Sequence, residues 1–328
     1  MNFEKDTAAL AAARSGVALY DRSQWGRIEV SDVDRIRFLH NQSTNDFKIL
    51  KPGEGCDTVF VTSTARTIDL TTAYVLENSV LLLVSPNLTE KLITFLDRYI
   101  FFADKVKLAD VTTQTATFSL IGSESHALLE KLGAADLIGQ PDASHRLLNL
   151  AGQDVRVAIG SGLATAGYTL IADVDRAAAL QQSLIEAGAV AISDRTWEQL
   201  RIEQGRPMPG HELTDDYNPL EAGLWNTISF NKGCYIGQET IARLDTYNGV
   251  KQQLWGVQLN ALAEPGTVVM VGAEKVGKLT SILETEKGAI GLAYIRTKAN
   301  AKAGMQVTIN NTQTELIDLP FLTREKQP

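Results

Sequence analysis

The chain has 328 residues, more than one hydrophobic core usually supports, so two or three packed units are expected. Its composition, with 44% hydrophobic and 21% charged residues, is typical of a globular protein and excludes a disordered one. A formal net charge of −8 argues against broad, charge-driven binding to nucleic acid or anionic lipid, and leaves room only for a local basic cleft.

Up to about residue 84, helical patterns give way to strand patterns. Ser31 can cap the second helix, and Asp34 would lie near the positive end of that helix. The later runs are joined by polar turns, which predicts a meander of antiparallel strands. In chain order we predict a helix at 1–14, a strand at 25–30, a helix at 32–41 and strands at 57–63, 68–76 and 80–84.

Between residues 86 and 204 helices and strands alternate, as in helices packed on a sheet. Apolar residues recur at helical spacing after Pro86, and Asp194 is placed to cap the last helix. The predicted elements are a helix at 88–99, a strand at 115–121, a helix at 125–132, strands at 154–159 and 168–172, and helices at 176–187 and 194–204.

After about residue 250 the helical pattern disappears and short β-like runs separated by glycines dominate. Several short strands at this spacing predict a small closed or sandwich-like β domain. The runs lie at 253–259, 267–271, 279–283, 289–295 and 306–309.

The segment 232–239 reads Lys-Gly-Cys-Tyr-Ile-Gly-Gln-Glu. A helix at 238–244 would place Cys234 just before a helix N-terminus and near Lys232, and both features favour the thiolate. The alternative is that Cys234 is a small hydrophobic residue buried in a tight turn. The other cysteine, Cys56, is far away in sequence and neither belongs to a Cys-x-x-Cys pair, so a disulfide framework or zinc knuckle is not expected.

This segment resembles the K-G-C-[FY]-x-G-Q-E signature of the YgfZ family of folate-binding proteins, which is related to the T-protein of the glycine cleavage system. All eight positions match. Residues 201–205 and 219–224 resemble the R-x-E-x-G and P-x-E-A-G-L elements that precede the signature, and residues 40–46 resemble an early segment of the family. The resemblance therefore spans nearly the whole chain.

The resemblance implies an α+β, three-lobed aminomethyltransferase-like fold around a central opening that holds tetrahydrofolate. Two interleaved lobes with mainly antiparallel sheets would occupy residues 1–248, and a C-terminal β-barrel would occupy residues 249–328. The implied function is maintenance or repair of iron–sulfur enzymes, including those that modify transfer RNA, with a folate as ligand and iron–sulfur client or assembly proteins as partners.

The chemistry of a folate selects candidate ligands. The pterin edge presents paired N–H donors that suit the carboxylate of Glu203 or Glu221, and the glutamate tail presents carboxylates that suit Arg201 or Arg243. Gln238 is a further candidate contact. For each charged residue, a solvated helix face or a salt bridge is the alternative.

Two elements depart from the aminomethyltransferases that the chain resembles. Their Gly-Gly-x-x-Asp-Asp turn supplies a catalytic aspartate, whereas residues 65–70 keep only Asp69. Their Gly-Glu-x-Gly-[FYV]-Glu element supplies a glutamate to the pterin, whereas residues 164–169 keep the glycine and Tyr168 but have no acid. Asp69 and Tyr168 stay candidate folate contacts.

The resemblance, together with these departures from it, implies three alternative functions. The first is a folate-binding iron–sulfur maintenance protein in which Cys234 is the reactive thiol and Lys232 assists it. The second is an aminomethyltransferase that moves a one-carbon unit to tetrahydrofolate, and the third is a non-catalytic module that binds transfer RNA or a protein. The histidines show no metal-ligand spacing, and no apolar stretch reaches membrane-spanning length. We therefore expect a cytoplasmic monomer with no metal, no membrane contact and no direct nucleic acid ligand.

Overall fold

A computed structural model of the chain describes residues 3–134, 137, 139–260, 262–286 and 288–326. The first two residues of the helix predicted at 1–14 lie outside the described residues. The chain divides into two compact units, the first made of Met1–Phe60 and Asp69–Trp197 and the second of Val61–Ile68 and Glu198–Pro328.

The α-helices and β-strands follow one another along the whole chain. In chain order the helices are α1 (Phe3–Ser15), α2 (Arg35–Gln42), α3 (Thr89–Asp97), α4 (Ser125–Lys131), α5 (Ala177–Glu186), α6 (Asp194–Gln204) and α7 (Gln238–Thr246). The strands are β1 (Ala18–Asp21), β2 (Gly26–Ser31), β3 (Gly55–Val61), β4 (Thr67–Val75), β5 (Ser79–Val84), β6 (Lys107–Asp110), β7 (Thr115–Ile121), β8 (His145–Leu150), β9 (Gln153–Ile159), β10 (Gly167–Asp173), β11 (Val190–Ala191), β12 (Gln252–Leu259), β13 (Val268–Val271), β14 (Glu274–Thr285), β15 (Gly288–Arg296), β16 (Gln306–Ile309) and β17 (Thr312–Ile317).

The first unit contains two sheets. One has the strand order β3-β4-β5-β2-β6, and the other has the order β11-β1-β7-β10-β9-β8. The recorded pairings are antiparallel except that of β1 with β11, which is parallel. Every residue of β5 is buried, as expected for a central strand covered on both faces. The core of the six-stranded sheet is completed by α4 and α5, which contribute Leu128, Leu129, Leu180 and Leu184.

The second unit contains a closed antiparallel barrel with the strand order β12-β15-β14-β13-β16-β17. The pairing of Gly256 with Ile317 closes it, so no strand of the barrel presents an open edge. Its interior is filled by apolar side chains such as Val257, Leu279 and Ile309. The predicted small β domain is thus a barrel. The boundary between residues 248 and 249 stays a prediction.

The predicted start of the second helix is wrong. Ser31 is the last residue of β2, and α2 begins at Arg35 without a side-chain cap. Asp32 has a φ of 78°, which breaks the helical path, and the carboxylate of Asp34 instead accepts a hydrogen bond from the backbone N–H of Lys105 at 2.9 Å. Five strands, most of them short, were not predicted from the sequence: β1, β6, β8, β11 and β17.

Throughout the part of the chain that the structure describes, each helix falls short of the length and apolar character needed to cross a membrane.

Candidate functional site

The segment Lys232–Glu239 lies in the second unit and ends in the first turn of α7. Gly237 occupies the N-cap position of α7 with a φ of 82°, a conformation that other residues adopt at a cost. A Cβ atom on Gly237 would lie 2.8 Å from Cγ2 of Val61 and 2.9 Å from the carbonyl oxygen of Thr62. This position therefore requires glycine for its backbone angle and for its close contact with the turn at residues 61–68.

A small apolar cluster holds the segment on either side of Gly237. Tyr235 packs against the cluster before the helix, and Ile241 is buried within it in the helix. The remaining members are Ala65, Leu220 and Ile228, with Trp225, Phe230, Leu244 and Val250 packed against them. Burial of the Tyr235 hydroxyl raises its pKa above the ordinary value, so the phenol stays neutral. The segment is thus anchored by apolar contacts before and after its N-cap.

The two residues predicted to be catalytic differ in exposure. Cys234 is exposed, which excludes the alternative of a thiol buried in a tight turn. The Lys232 side chain is buried, and its Nζ lies 4.7 Å from the centroid of the Tyr235 ring, within cation–π range. The thiol is therefore accessible to a large reactant, while the ammonium group is held against an aromatic face.

Arg201 is buried and forms ion pairs with two carboxylates. Its guanidinium donates to the Glu212 carboxylate at 3.1 Å and to the Glu198 carboxylate at 2.7 Å, and also to Ser281 Oγ at 2.9 Å. Burial lowers the pKa of Arg201, but the Glu212 and Glu198 carboxylates outweigh that effect, and the pKa is raised overall. In these contacts the guanidinium donates its hydrogen bonds to groups of the protein itself. Its assignment to a ligand stays a prediction.

Glu212 accepts further hydrogen bonds from the barrel. The hydroxyls of Thr280 and Ser281 donate to its carboxylate at 2.7 and 2.6 Å, and the Tyr294 hydroxyl donates to its backbone carbonyl at 2.8 Å. Tyr217 stacks on Tyr294 with ring centroids 3.7 Å apart. Burial, with the neighbouring carboxylates of Asp216, Glu221 and Glu212, raises the pKa of Tyr217 to about 12. This polar network ties α6 to the barrel.

Glu221 is buried in the loop before the segment. Its carboxylate accepts the backbone N–H of Asn218 at 3.2 Å, and its backbone carbonyl accepts the N–H of Leu254 in β12. Burial raises the pKa of Glu221, an effect opposed by the Asn218 hydrogen bond, by Gln252 and by the charges of Arg66 and Lys251. Glu221 is thus a desolvated carboxylate with cations close by.

The other candidates of the second unit lie on α6 and α7. Glu203 is half-buried on α6 and accepts a hydrogen bond from Gln199 Nε2 at 2.9 Å. Gln238 begins α7 and is half-buried, whereas Arg243 is exposed on the same helix. Arg243 borders a groove of about 980 Å³ that runs along α7 and is also lined by Tyr247 and Lys251.

Asp69 and Tyr168 belong to the first unit. Asp69 is buried in β4, where its carboxylate accepts the Thr71 hydroxyl and the Ser85 N–H, both at 3.0 Å. Tyr168 is buried in β10, its hydroxyl contacts His126 Nδ1, and burial raises its pKa. Their assignment as folate contacts stays a prediction.

The structure therefore brings Lys232, Cys234, Gln238 and Arg243 onto one continuous loop and helix. Glu212 and Lys251 were not among the residues predicted from the sequence. The sequence around a glutamate or a lysine in a polar segment does not indicate that its side chain is buried or lines a groove. Among the described residues, no group of three His, Cys, Asp or Glu side chains is placed to hold a metal ion.

Comparisons of the sequence with known proteins agree on one family. The sequence matches the GCVT N-terminal domain family over residues 3–232. It is 46% identical to the Arabidopsis thaliana protein named "Putative transferase At1g60990, chloroplastic", over all of this chain and 76% of that protein. It is 28% identical to the aminomethyltransferase of Bacillus mycoides (strain KBAB4), over 96% of this chain and 89% of that protein.

A solved structure shows the same fold. The crystal structure of glycine cleavage system aminomethyltransferase T from Bartonella henselae superposes with a TM-score of 0.83 at 17% identity, covering 99% of this chain and 91% of that one. The expected aminomethyltransferase-like fold with its C-terminal barrel is confirmed. On the family match and the Arabidopsis relative together, the chain belongs to the GCVT N-terminal domain family.

Proposed function

We propose that this chain is a YgfZ-type protein that binds a reduced folate and uses Cys234 as a reactive thiol in the upkeep of iron–sulfur enzymes. The observation that carries the proposal is the exposed Cys234 in a segment whose backbone is fixed by Gly237 and which is anchored by the half-buried Tyr235 and the buried Ile241. An accessible thiol on a rigid support suits a reaction with a macromolecular partner.

A carboxylate would recognise the pterin of the folate. Glu221 is buried beside the charges of Arg66 and Lys251, and a desolvated carboxylate binds paired N–H donors more strongly than one in water. Glu203, half-buried on α6, is the second candidate. Either residue would accept both donors of the pterin edge, with Gln238 as a further contact.

The thiol would act on an iron atom of a client's cluster. On losing its proton to solvent, Cys234 becomes a thiolate, which is the ligand that iron–sulfur clusters take from proteins. Binding of this thiolate to an exposed iron is a ligand addition and transfers no electrons. Lys232, whose Nζ lies 4.7 Å from the centroid of the Tyr235 ring on the same segment, is the residue proposed to assist Cys234.

Calorimetric titration with 5-formyltetrahydrofolate tests the folate site. We expect Glu221→Gln or Glu203→Gln to weaken binding by about ten- to a hundredfold, since a charge-assisted hydrogen bond contributes about 1.5–3 kcal/mol. Cys234→Ser should leave the dissociation constant within about twofold, and Glu264→Gln, at an exposed glutamate, serves as the matched control. If the wild type shows no heat of binding, the folate proposal fails.

Gene replacement tests the thiol. We expect cells with Cys234→Ser to lose activity of cluster-dependent enzymes under oxidative stress, while cells with Cys56→Ser keep it. Equal activity in both strains would contradict the role of Cys234. Gel filtration and fractionation of the source cells would test the further proposals that the protein is monomeric and cytoplasmic; the Arabidopsis relative is named as chloroplastic.

A true aminomethyltransferase is the second candidate, and the similarity to the Bacillus mycoides aminomethyltransferase over 96% of this chain favours it. The assay is incubation with an aminomethylated carrier protein and tetrahydrofolate, followed by measurement of methylenetetrahydrofolate and ammonia. Turnover that Asp69→Asn abolishes would support this activity over the first proposal. A wild type that forms no product would remove it.

A further inference from the structure

A second groove lies in the first unit and shares no lining residue with the segment 232–239. Its volume is about 950 Å³, which is large enough for a small organic ligand. Its walls come from the loop at 50–55, the turn at 76–77, described residues between 137 and 147, and Arg156 of β9. None of these residues is a candidate for folate binding or for the thiol reaction.

Arg156 is a half-buried cation in this groove. Its Nη1 donates a hydrogen bond to Nδ1 of His145 at 3.0 Å. Burial lowers the pKa of Arg156, whereas carboxylate partners raise the pKa of Arg201. Within the described part of the chain, no carboxylate pairs with Arg156. A partly desolvated guanidinium of this kind is stabilised by an anionic ligand that accepts its remaining N–H donors.

His145 holds Arg156 in position. The backbone N–H of His145 donates to the Gly53 carbonyl at 2.8 Å, and its ring lies edge-on to Tyr74 with ring centroids 5.5 Å apart. Burial, and secondarily the charge of Arg156, lowers the pKa of His145 to about 4. The imidazole is therefore neutral at neutral pH, and its Nδ1 accepts the hydrogen bond from Arg156. A guanidinium fixed in this way loses less conformational entropy when it binds a ligand.

Apolar side chains lie beside this cation. Leu147 pairs directly with Arg156 across β8 and β9, and directly opposite residues have their side chains on the same face of a sheet. The Leu147 side chain is 60% exposed, so its apolar surface is available to a ligand. Leu50 and Leu76 line the same groove. The groove thus combines a fixed cation with apolar surface.

The exposed part of the lining is mainly acidic. It includes Glu54, Glu77 and Asp142, together with the exposed side chain of Arg146. None of the three carboxylates forms an ion pair with Arg156, so the groove keeps its negative charges apart from that guanidinium. Such an arrangement disfavours a polyanion such as phosphate and favours a ligand that carries one carboxylate and one ammonium group.

We propose that this groove binds a small zwitterion of the amino-acid type with an apolar side chain. Arg156 donates paired hydrogen bonds to the ligand's carboxylate, and the exposed carboxylates of the lining attract its ammonium group. Leu147 and Leu76 contact the apolar side chain of the ligand. The site is independent of the proposed folate function, because the two share no residue.

Ligand-observed NMR titrations with L-leucine, L-leucinamide and N-acetyl-L-leucine test the proposal, because the two derivatives each lack one of the charges. We expect L-leucine to bind with a dissociation constant in the millimolar range. L-leucinamide should bind at least about tenfold more weakly, because it loses the charge-assisted hydrogen bonds to Arg156. N-acetyl-L-leucine should bind about threefold more weakly, because it loses only an exposed ionic contact.

Variants locate the site. Arg156→Gln should weaken L-leucine binding at least about tenfold. Arg176→Gln removes the same charge at an exposed residue outside the lining and should keep the wild-type dissociation constant. Leu147→Ser changes an exposed side chain, so the fold should be kept, and we expect it to weaken L-leucine binding about fivefold.

Three results would overturn the proposal. The first is a wild type that does not bind L-leucine. The second is wild-type affinity for L-leucine in Leu147→Ser, or in an Arg156→Gln variant with the circular dichroism spectrum of the wild type. The third is tighter binding of N-acetyl-L-leucine or inorganic phosphate than of L-leucine, which would show a site for anions rather than for zwitterions.

Discussion

The guanidinium of Arg201 and the carboxylate of Glu212 form an ion pair 3.1 Å apart, and both side chains are fully excluded from solvent. The carboxylate receives additional hydrogen bonds from Thr280 and Ser281 of the barrel. Two charges removed from water are tolerated only when their remaining polar atoms are hydrogen-bonded, as they are here. The pair therefore fixes α6 to β14 in one arrangement. The free-energy cost of removing its two charges from water is offset only by its full set of hydrogen-bond partners.

Removing one member of this pair should destabilise the protein strongly. We expect Glu212→Ala to lower the free energy of unfolding by about 3–5 kcal/mol, because it removes the buried carboxylate and leaves the buried Arg201 charge with only the partly exposed Glu198. Urea unfolding of the purified variants measures this. Glu274→Ala, which breaks the exposed pair with Lys298, is the matched control and should change the unfolding free energy far less. Equal losses of unfolding free energy in the two variants would show that the buried pair stabilises the protein no more than the exposed pair does.

Gly237→Ala should disturb the segment that carries the thiol. The new Cβ would meet Val61 and Thr62 at under 3 Å and would also force alanine into a left-handed backbone angle. We expect a loss of about 2 kcal/mol or more in unfolding free energy and altered reactivity of Cys234. Gly272→Ala is the control, since Gly272 also has a positive φ but has open space around its Cα. If both variants lose the same stability, the close contact at Gly237 contributes nothing beyond backbone strain.

Periodicity predicted well those helices and strands in which burial or turns recur at regular spacing along the chain. β5 could be found because every one of its residues is apolar or small and buried, and five of the six barrel strands, all but β17, because turns separate them regularly. Short strands such as β11, with two exposed residues, owe their existence to a parallel partner far away in sequence. No local pattern records such a pairing.

The candidate site likewise contains features that the local sequence predicts and features that it does not. The position of Cys234 before a helix could be predicted, because the glycines and the start of α7 are local features. The network of Glu212 could not, since its partners Ser281 and Tyr294 are 69 and 82 residues away. Arg201 is predicted to bind a ligand because the carboxylates of a folate's glutamate tail suit an arginine, and its hydrogen bond to Glu212 could not be predicted from the local sequence.

His145 should make stability depend on acid pH. Burial, and secondarily the charge of Arg156, lowers its pKa to about 4, and its Nδ1 lies 3.0 Å from Arg156 Nη1. Below an ordinary pKa of about 6.5 the unfolded chain binds a proton that the folded chain rejects, so stability falls as pH decreases from about 6.5 to 4. The expected loss from this group is on the order of 3 kcal/mol.

Urea unfolding across this pH range checks the prediction. His145→Gln cannot take up the proton, so its stability should vary less between about pH 4 and 6.5 than that of the wild type. His211→Gln, at an exposed histidine, should retain the wild-type dependence. Parallel curves for the wild type and His145→Gln would contradict a depressed pKa at this site.

The two cysteines should react with an aromatic disulfide reagent at different rates. Cys234 is exposed before α7, whereas Cys56 is half-buried in β3, and attack on a bulky disulfide requires an accessible sulfur. We expect the native protein to release one equivalent of thiolate in a fast phase and a second at least about tenfold more slowly. Cys234→Ser should abolish the fast phase and Cys56→Ser should retain it, with both phases merging in denaturant. A fast phase that persists in Cys234→Ser would mean that the accessible thiol is Cys56, and the reactive-thiol role proposed for the segment 232–239 would then have no support.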